Sequence, residues 1–563
     1  MFYALLRKVR PVEHIVDAEN VLWTLDQINT RDHLHAEPAI RQPFKPGQQI
    51  RTAQEPRHQI VDIPIAPQQG KVVAGNTPER LSRARAFRDE LGPVAEQLVA
   101  DVVSIDIIDE LEVADIAVPE RIFAVAASGQ QFRRVRLELG EIKIQDIQFA
   151  DKSEIKNGVL YVSKAELEEV SEVANDDYLK SIEFFIAHPG DSTRIIPVKD
   201  VLEPRVKVEG GEMFPGILNK VDTVGTGKTI ALKNMAVITT GSIVGFQEGI
   251  IDMTGEGAKY TPFSKLVNLV VKVEPKEGIS KANHEHSVRM VGLKITDFIG
   301  RLAKDLTPEN TTVYETKPIL EQVEEYKDLK KVIYVCMLQT QGLLHDTYVY
   351  GVDAKKIIPT FLYPTEFMDG AVVSGNCVSA CDKNPTYVHL NNDVIKNLYK
   401  EHGKTINFLG VVITNENVYL MDKQRSSDMT AKLCEFLGAD AAIVSQEGFG
   451  NPDTDLIMNC KKIEGKGIQT VIITDEYAGR DGASQSLADA DPAANAVVTG
   501  GNANQFITLP KMDKVIGHIQ FVDTIAGGSD GALKDDGTIE VEIQAITGAT
   551  NETGFNTLTA KTY

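Results

Sequence analysis

From Val135 to about residue 375, apolar positions fall in short β-branched runs. VRLELGEIKI, GVLYV, IEFFIA, RIIPV, PRVKVE, MAVITTGSIVGFQEGIIDM, LVNLVVKVEP, KVIYVCML and TYVYGV are separated by Gly, Pro, Asp and Asn. That is the pattern of strands and turns. It predicts one or two β-rich domains with a few helices, one over Ala165–Val173. From about residue 405 the pattern alternates. INFLGVVIT, AAIVS, TVIIT and AVVTG read as buried strands. Between the first two, the spacing predicts a helix capped by Asp428, with Met429, Leu433, Phe436 and Leu437 sharing a face and Gly438 ending it. A second helix runs through Leu456, Ile457, Cys460 and Ile463 and stops at Gly465 or Gly467. Strand–helix–strand alternation implies a parallel sheet with helices on its faces. The expected class is α+β and α/β, a β-rich part followed by an α/β parallel-sheet part. Ligands of such sheets bind beyond the strand C-termini. The polar loops SQEGFGNPDTD and TDEYAGRDGASQS follow strands at that end.

Residues 1–134 differ. They carry 13 Arg and 3 Lys, against 7 Arg and 36 Lys in residues 135–563. RDHLHAEPAIRQPFKPGQQIRTAQEPRHQIVDIPIAPQQG is rich in Pro, Gln and Arg and reads as extended or disordered. A helix is expected from Pro78 to Leu98, capped by Thr77. His14, His33, His35 and His58 match no compact metal site. The segment reads either as a separately acquired extension or as upstream of a misassigned start, with Val135 the true beginning.

Length and charge bound the function. A chain of 563 residues suggests two to four domains. A net charge of −21 opposes nonspecific binding to nucleic acid or anionic lipid. No apolar run reaches the ~18–20 residues of a membrane span. MFYALLRKVR does not read as a secretion signal. Five cysteines fit a reducing compartment, so a cytoplasmic protein is expected.

GTGKT at 225–229 departs from a phosphate loop, since Asp222 stands where the first glycine belongs. It reads as a Gly-rich turn. His284-Glu285-His286 lacks a third metal ligand at a convincing spacing and reads as an exposed polar turn. Cys336, Cys434 and Cys460 sit among apolar residues and read as core.

DGAVVSGNCVSACDKNPTYVHLNND (369–393) holds the candidate chemistry. Three readings stand: a structural turn, a dithiol or metal half-site from Cys377 and Cys381, and a reactive Asn376–Cys377 bond. In the third, the Cys377 thiolate attacks the Asn376 carbonyl and converts amide to thioester. Removal of the Cys377 α-proton expels the upstream chain as a thiocarboxylate. The resulting dehydroalanine tautomerises and hydrolyses to a pyruvoyl group. Ser374 and Gly375 permit the tight backbone this attack needs.

MLQTQGLLHDTYVYGVDAKKIIPT, VSGNCVSACDKNPTYVHLNN, VSQEGFGNPDTDLIMNCKKIE and TDEYAGRDGASQSLADAD closely resemble component B of the glycine, sarcosine and betaine reductases, in the form of the proprotein of its alpha and beta subunits. The resemblance runs from about Val135 to Tyr563. It implies self-cleavage at Asn376–Cys377, a larger subunit over 135–376, and a smaller one over 377–563 headed by a pyruvoyl group from Cys377. It implies a pyruvoyl cofactor that forms an imine with the substrate amine, and reductive deamination to acetyl phosphate and ammonia. It further implies partners: a selenocysteine-containing subunit of component B that supplies the nucleophile, selenoprotein A with an acetyl phosphate-forming component, and a thioredoxin-type reductant. A carboxylate substrate needs a cation, for which Arg480 is the candidate, although it also reads as a surface arginine. His345 and His389 are the nearest candidates for the base and acid, although each also reads as a structural histidine. Betaine nitrogen is quaternary and cannot form an imine, so glycine or sarcosine fits better, and glycine is favoured. Two other functions remain open: a pyruvoyl-dependent amino-acid decarboxylase, and an uncleaved binding or scaffold subunit with Cys377 an ordinary thiol.

Overall fold

The computed structural model describes residues 134–245, 248–341, 347–375, 384–448, 450–480 and 489–548. The expected helix Pro78–Leu98, the four histidines before it, His345, Asn376, Cys377 and Cys381 lie outside these residues.

The first elements in chain order are β1 (Val135–Lys143), α1 (Lys164–Ser171), β2 (Leu179–Ala187), β3 (Thr193–Leu202), β4 (Arg205–Glu209), β5 (Gly227–Lys233), β6 (Met235–Gly241), β7 (Gly249–Asp252), β8 (Val267–Pro275), α2 (Lys281–Arg301) and β9 (Asn310–Thr316). They build two mixed sheets, ordered β9–β1–β5–β4 and β7–β3–β6–β8–β2. One apolar stripe of α2, Val288, Val291, Ile295 and Ile299, packs on Leu232, Val237, Leu269 and Val271 of these strands. At ~25 cal/mol per Å² such burial dominates the stability of the region.

The second group comprises β10 (Lys330–Leu338), β11 (Thr347–Val349), β12 (Thr360–Leu362), β13 (Val372–Ser374), α3 (Thr386–Leu390), α4 (Asp393–Glu401), β14 (Ile406–Asn415), α5 (Leu420–Phe436), β15 (Ala441–Ser445), α6 (Asn451–Glu464), β16 (Gln469–Glu476), β17 (Val497–Asn502) and β18 (Lys514–Gly517). Its main sheet is ordered β12–β14–β10–β15–β16–β17. All neighbours in it run parallel except β12 with β14. Strand β10 shows why its residues alternate without a polar face. Val332, Tyr334, Cys336 and Leu338 face the α4 side chains Val394, Ile395 and Leu398. Ile333, Val335 and Met337 face α5 and α6. A parallel strand covered on both faces needs a continuous apolar run.

The parallel sheet therefore starts at Lys330 rather than near 405, and it takes β10 and β12 from before Asn376. In the other direction, β18 pairs in parallel with β3, in the register Lys514↔Thr193 to Gly517↔Ile196. The β-rich and α/β parts share strands. The mixed class expected from the sequence holds.

Three local expectations need correction. Helix α5 begins at Leu420, so Asp428 is mid-helix and pairs with Lys462 at 2.8 Å instead of capping. Its buried face is Lys423, Ser426, Ser427, Thr430, Ala431 and Cys434, while Met429 and Phe436 point outward. The reason is a polar network at the end of β14: Ser426 donates to Asn415 Oδ1 at 2.7 Å, and Lys423 pairs with Asp455. Next, His284-Glu285-His286 lies in the first turns of α2, with His284 and Glu285 buried. Ser280 caps that helix, accepting from the Asn283 N–H at 3.2 Å. Burial, reinforced by the Lys199 charge, pushes His284 down to about 3. Finally, Ala165–Val173 divides into α1 and a single 3-10 turn, Val173–Asn175. Elsewhere GTGKT is a bend leading into β5. Its Gly225 N–H (2.7 Å) and Thr229 hydroxyl (2.6 Å), with Lys207 Nζ (2.6 Å), all hold the Asp369 carboxylate. Gly225 has φ +89°, and a Cβ there would meet Thr365 Oγ1 at 2.8 Å. Cys336, Cys434 and Cys460 are buried free thiols. Among the described residues, no helix is long and apolar enough to cross a membrane.

Candidate functional site

In chain order β10 is followed by β14 on one side, and then by β15 on the other. Connections leave β10 and β15 in opposite directions, which opens a crevice at their carboxyl ends. Tyr334 and Ser445 bridge these strands, hydroxyl to hydroxyl, at 2.7 Å. Immediately beyond them lie Gln339, Thr340, Glu416, Gln446 and Glu447, all buried.

Both flanks of residues 376–383 are fixed near this end. Upstream, β13 pairs with β11, placing Ser374 opposite Thr347. The Ser374 N–H donates to Thr386 Oγ1 at 3.1 Å. Downstream, the Asn384 N–H donates to Glu447 Oε1 at 3.1 Å. Glu447 Oε2 accepts from the Gln339 N–H at 2.7 Å and from the Thr347 hydroxyl at 3.3 Å. One carboxylate thus gathers the end of β10, the strand facing Ser374 and the downstream flank. The Glu447 N–H itself donates to Glu416 Oε1 at 2.9 Å.

Thr386 opens α3, and Asp200 of β3 receives it twice, from the N–H at 3.0 Å and from the hydroxyl at 2.6 Å. Burial pushes the Asp200 carboxyl up to about 7, against the hydrogen bonds from Thr386 and Val201 and the charge of His389. Without compensation, a buried carboxylate favours its neutral form.

Of the residues singled out from sequence, His389 lies here. It is 1% exposed. Its Nε2 is 3.2 Å from Glu447 Oε1. That approach is not aligned for a hydrogen bond, and among the described residues neither ring nitrogen has a hydrogen-bond partner. A buried imidazole with both nitrogens unused is costly and suits proton transfer. Arg480 lies elsewhere, on the loop after β16. Its guanidinium stacks on Phe506 at 4.1 Å and its Nε is 3.3 Å from Glu542. Sequence reasoning missed Asp200, Thr386, Glu416, Glu447 and Arg289. Arg289 is buried on α2, paired with Glu285 at 2.9 Å and stacked 4.1 Å over the Tyr348 ring. Glu447 was within reach, since its loop had been marked as following a strand. The adjacent Lys199 and Asp200 inside an apolar strand were another signal. Among the described residues, no group of three His, Cys, Asp or Glu is placed to hold a metal ion.

A family model of the glycine/sarcosine/betaine reductase component B subunits matches residues 135–561. The chain belongs to this family. It is 68% identical over 432 residues to the glycine reductase complex component B subunits alpha and beta of Acetoanaerobium sticklandii, covering 76% of this chain and 100% of that protein. The protein of the same description from Peptoclostridium acidaminophilum is 66% identical over 430 residues, with the same coverage. The sarcosine reductase complex component B subunit alpha of that organism is 56% identical over 430 residues, again with the same coverage. The glycine versions are the nearer of these two types. No solved structure matches. Membership makes the chain a reductase subunit of a multi-component complex.

Proposed function

We propose that this chain is the substrate-binding proprotein of a glycine reductase, which cleaves itself between Asn376 and Cys377 and takes part in reductive deamination to acetyl phosphate and ammonia. The observation that carries the reading is the double anchoring of the flanks. Ser374 and Asn384 are held through Thr386 and Glu447 at the carboxyl-end crevice of a parallel sheet, where α/β proteins bind ligands. The name of the 68% identical relative supports it, since one chain there accounts for subunits alpha and beta.

For cleavage, the Cys377 thiolate attacks the Asn376 carbonyl, and a base then removes the Cys377 α-proton. His389 has the unused nitrogens to accept that proton, and Glu447 beside it stabilises the imidazolium. His345 is the second candidate. The residues around the flanks fit a pyruvoyl group from Cys377, because a protonated nitrogen of the orphaned His389 ring would provide the donor that a buried carbonyl requires. That group supplies a ketone which condenses with the substrate amine and draws electrons from the C–N bond. The chain's own contribution is to exclude water with the buried rim and to hold or deliver a proton at His389. Arg480 is kept as the proposed cation for the substrate carboxylate from the sequence alone, and in the fold it pairs with Glu542 and stacks on Phe506. The nucleophile that displaces the amine belongs to a selenocysteine-containing subunit of the complex.

Intact-mass spectrometry of the protein from its native host tests the proposal. Two chains divided after Asn376, the smaller with a pyruvoyl mass at its start, are expected. A single chain with unmodified Cys377 would leave only a binding or scaffold role.

A further inference from the structure

Three cations from three elements meet at one neutral oxygen. Asn391, which ends α3, accepts at Oδ1 from Lys396 Nζ of α4 at 2.8 Å, from Arg205 Nη2 of β4 at 2.9 Å and from Lys233 Nζ of β5 at 3.1 Å. The amide cannot turn away, because its Nδ2 donates to Glu203 Oε2 and to the Tyr387 carbonyl, each at 3.1 Å. An amide oxygen has two lone pairs, so three cationic donors exceed what it can satisfy. Glu203 is buried and pairs with Arg205 and Lys233. Lys396 is left over: among the described residues no carboxylate forms an ion pair with it, and its hydrogen bond goes to the Asn391 amide. Lys233 and Lys396 are only partly buried, so the cluster reaches the surface on their side. Burial and neighbouring cations both favour a neutral amine. Burial, with the Lys233 and Arg205 charges, pushes Lys396 down to about 8, against Glu203 and Asp393.

We propose that Lys396 is an acyl-acceptor site for acyl phosphates, with Lys233 holding the phosphoryl group. The donor in the cell is the acetyl phosphate of the reaction proposed above, and to that extent the inference rests on that reading. The Lys396 lone pair attacks the acyl carbon and forms a C–N bond. The bond from that carbon to the bridging oxygen breaks. Phosphate leaves with the electron pair and takes up the proton lost by the nitrogen, so an amide and hydrogen phosphate are the products. Lys233 has committed two of its three N–H donors, to Glu203 and Asn391, and has one for a phosphoryl oxygen. A cation there stabilises the charge that develops on the leaving phosphate. Arg205 is fully buried and acts through its field alone. The amide product is neutral, so the reaction removes the surplus positive charge around Asn391.

The test incubates the full chain with acetyl phosphate at neutral pH and quantifies each acetylated lysine by peptide mass spectrometry. Lys400 and Lys404, close in sequence and exposed, are the internal comparison. Lys396 is expected to react roughly tenfold faster than either, because far more of it is neutral than of an ordinary lysine, partly offset by its lower basicity. Excess inorganic phosphate should slow Lys396 and leave the other two unchanged. In urea the preference should disappear. Lys233→Met should slow acetylation of Lys396 roughly tenfold without altering Lys400 or Lys404, and the phosphate competition decides the same point if that variant does not fold. Equal rates at the three lysines of the folded chain would overturn the proposal. A fast Lys396 that ignores inorganic phosphate would overturn it too, by showing a reactive amine with no phosphoryl site. The donor is supplied, so these results are independent of what the chain produces. Failure of the assembled complex to release acetyl phosphate is a separate result, which removes the proposed reaction and not the measured reactivity of Lys396.

Discussion

Helices α5 and α6 lie on the same face of the same sheet, yet they are built on opposite rules. Helix α6 turns Leu456, Ile457, Cys460 and Ile463 toward β10, β15 and β16. Helix α5 turns inward Lys423, Ser426, Ser427 and Thr430 before Ala431 and Cys434 join the apolar cluster, leaving Leu420, Met421 and Phe436 in solvent. Their positions explain the difference. The apolar stripe of α6 covers the floor of the sheet. The first turns of α5 pass over the carboxyl end of β14, where Asn415, Asn417 and Asp455 need partners. Near a site, polar satisfaction overrides hydrophobic period.

The largest expected effect lies in the polar helix. Lys423→Met strands Asp455 in the interior and should cost about 3–5 kcal/mol in urea unfolding at pH 8. Burial has already pushed Asp455 up to about 6, despite Lys423. Below that pH the stranded carboxyl takes up a proton, so the loss should shrink. A loss that does not change with pH would show that the pair is not what holds α5. In the apolar helix, Leu456→Ala should cost about 2–5 kcal/mol with little dependence on pH. A smaller effect separates rim from floor. Asp200 is raised from 3.8 to about 7 on folding, so the folded state binds its proton more tightly than the unfolded state does. Its contribution becomes unfavourable as pH rises through that window and is fully so above 7. Asp200→Asn should therefore be more favourable relative to the parent at pH 8 than at pH 4, read as paired melting curves. A gain equal at both pH values would remove Asp200 as the titrating group. The smallest effect is Phe436→Ser. Phe436 is 84% exposed, and the change should alter stability by less than about 0.5 kcal/mol. A loss of several kcal/mol would restore the inward face read from the sequence.

The legibility of the chain follows the same division. The strands β10, β14, β15 and β16 and the helix α6 were readable because each is buried against apolar neighbours, and their period reports it. The first half of the inner face of α5 was not readable, because Lys423, Ser426, Ser427 and Thr430 satisfy hydrogen bonds and carry no hydrophobic signal, whereas Cys434 in the last turns was. Of the candidate site residues, Asn376, Cys377 and His345 lie outside the described residues, and His389 lies beside Glu447 at the carboxyl end of the sheet. The supports of the site were not legible. Asp200 and Thr386 are 186 residues apart, and Glu447 meets Asn384 across 63. No local pattern encodes such meetings.

The sharing of strands between the two parts bears on the fate of a cut chain. Pieces 135–376 and 377–563 would each hold an incomplete set of strands, since β10 lies between β14 and β15, β12 pairs with β14, and β18 pairs with β3. Scission would leave the sheets in register and the particle the same size in solution. The two products would melt in one transition, and neither could be exchanged for a fresh copy without unfolding both. If the chain is cut as proposed, it has a single opportunity to be processed, during the life of one chain, and no means of replacing a spent half.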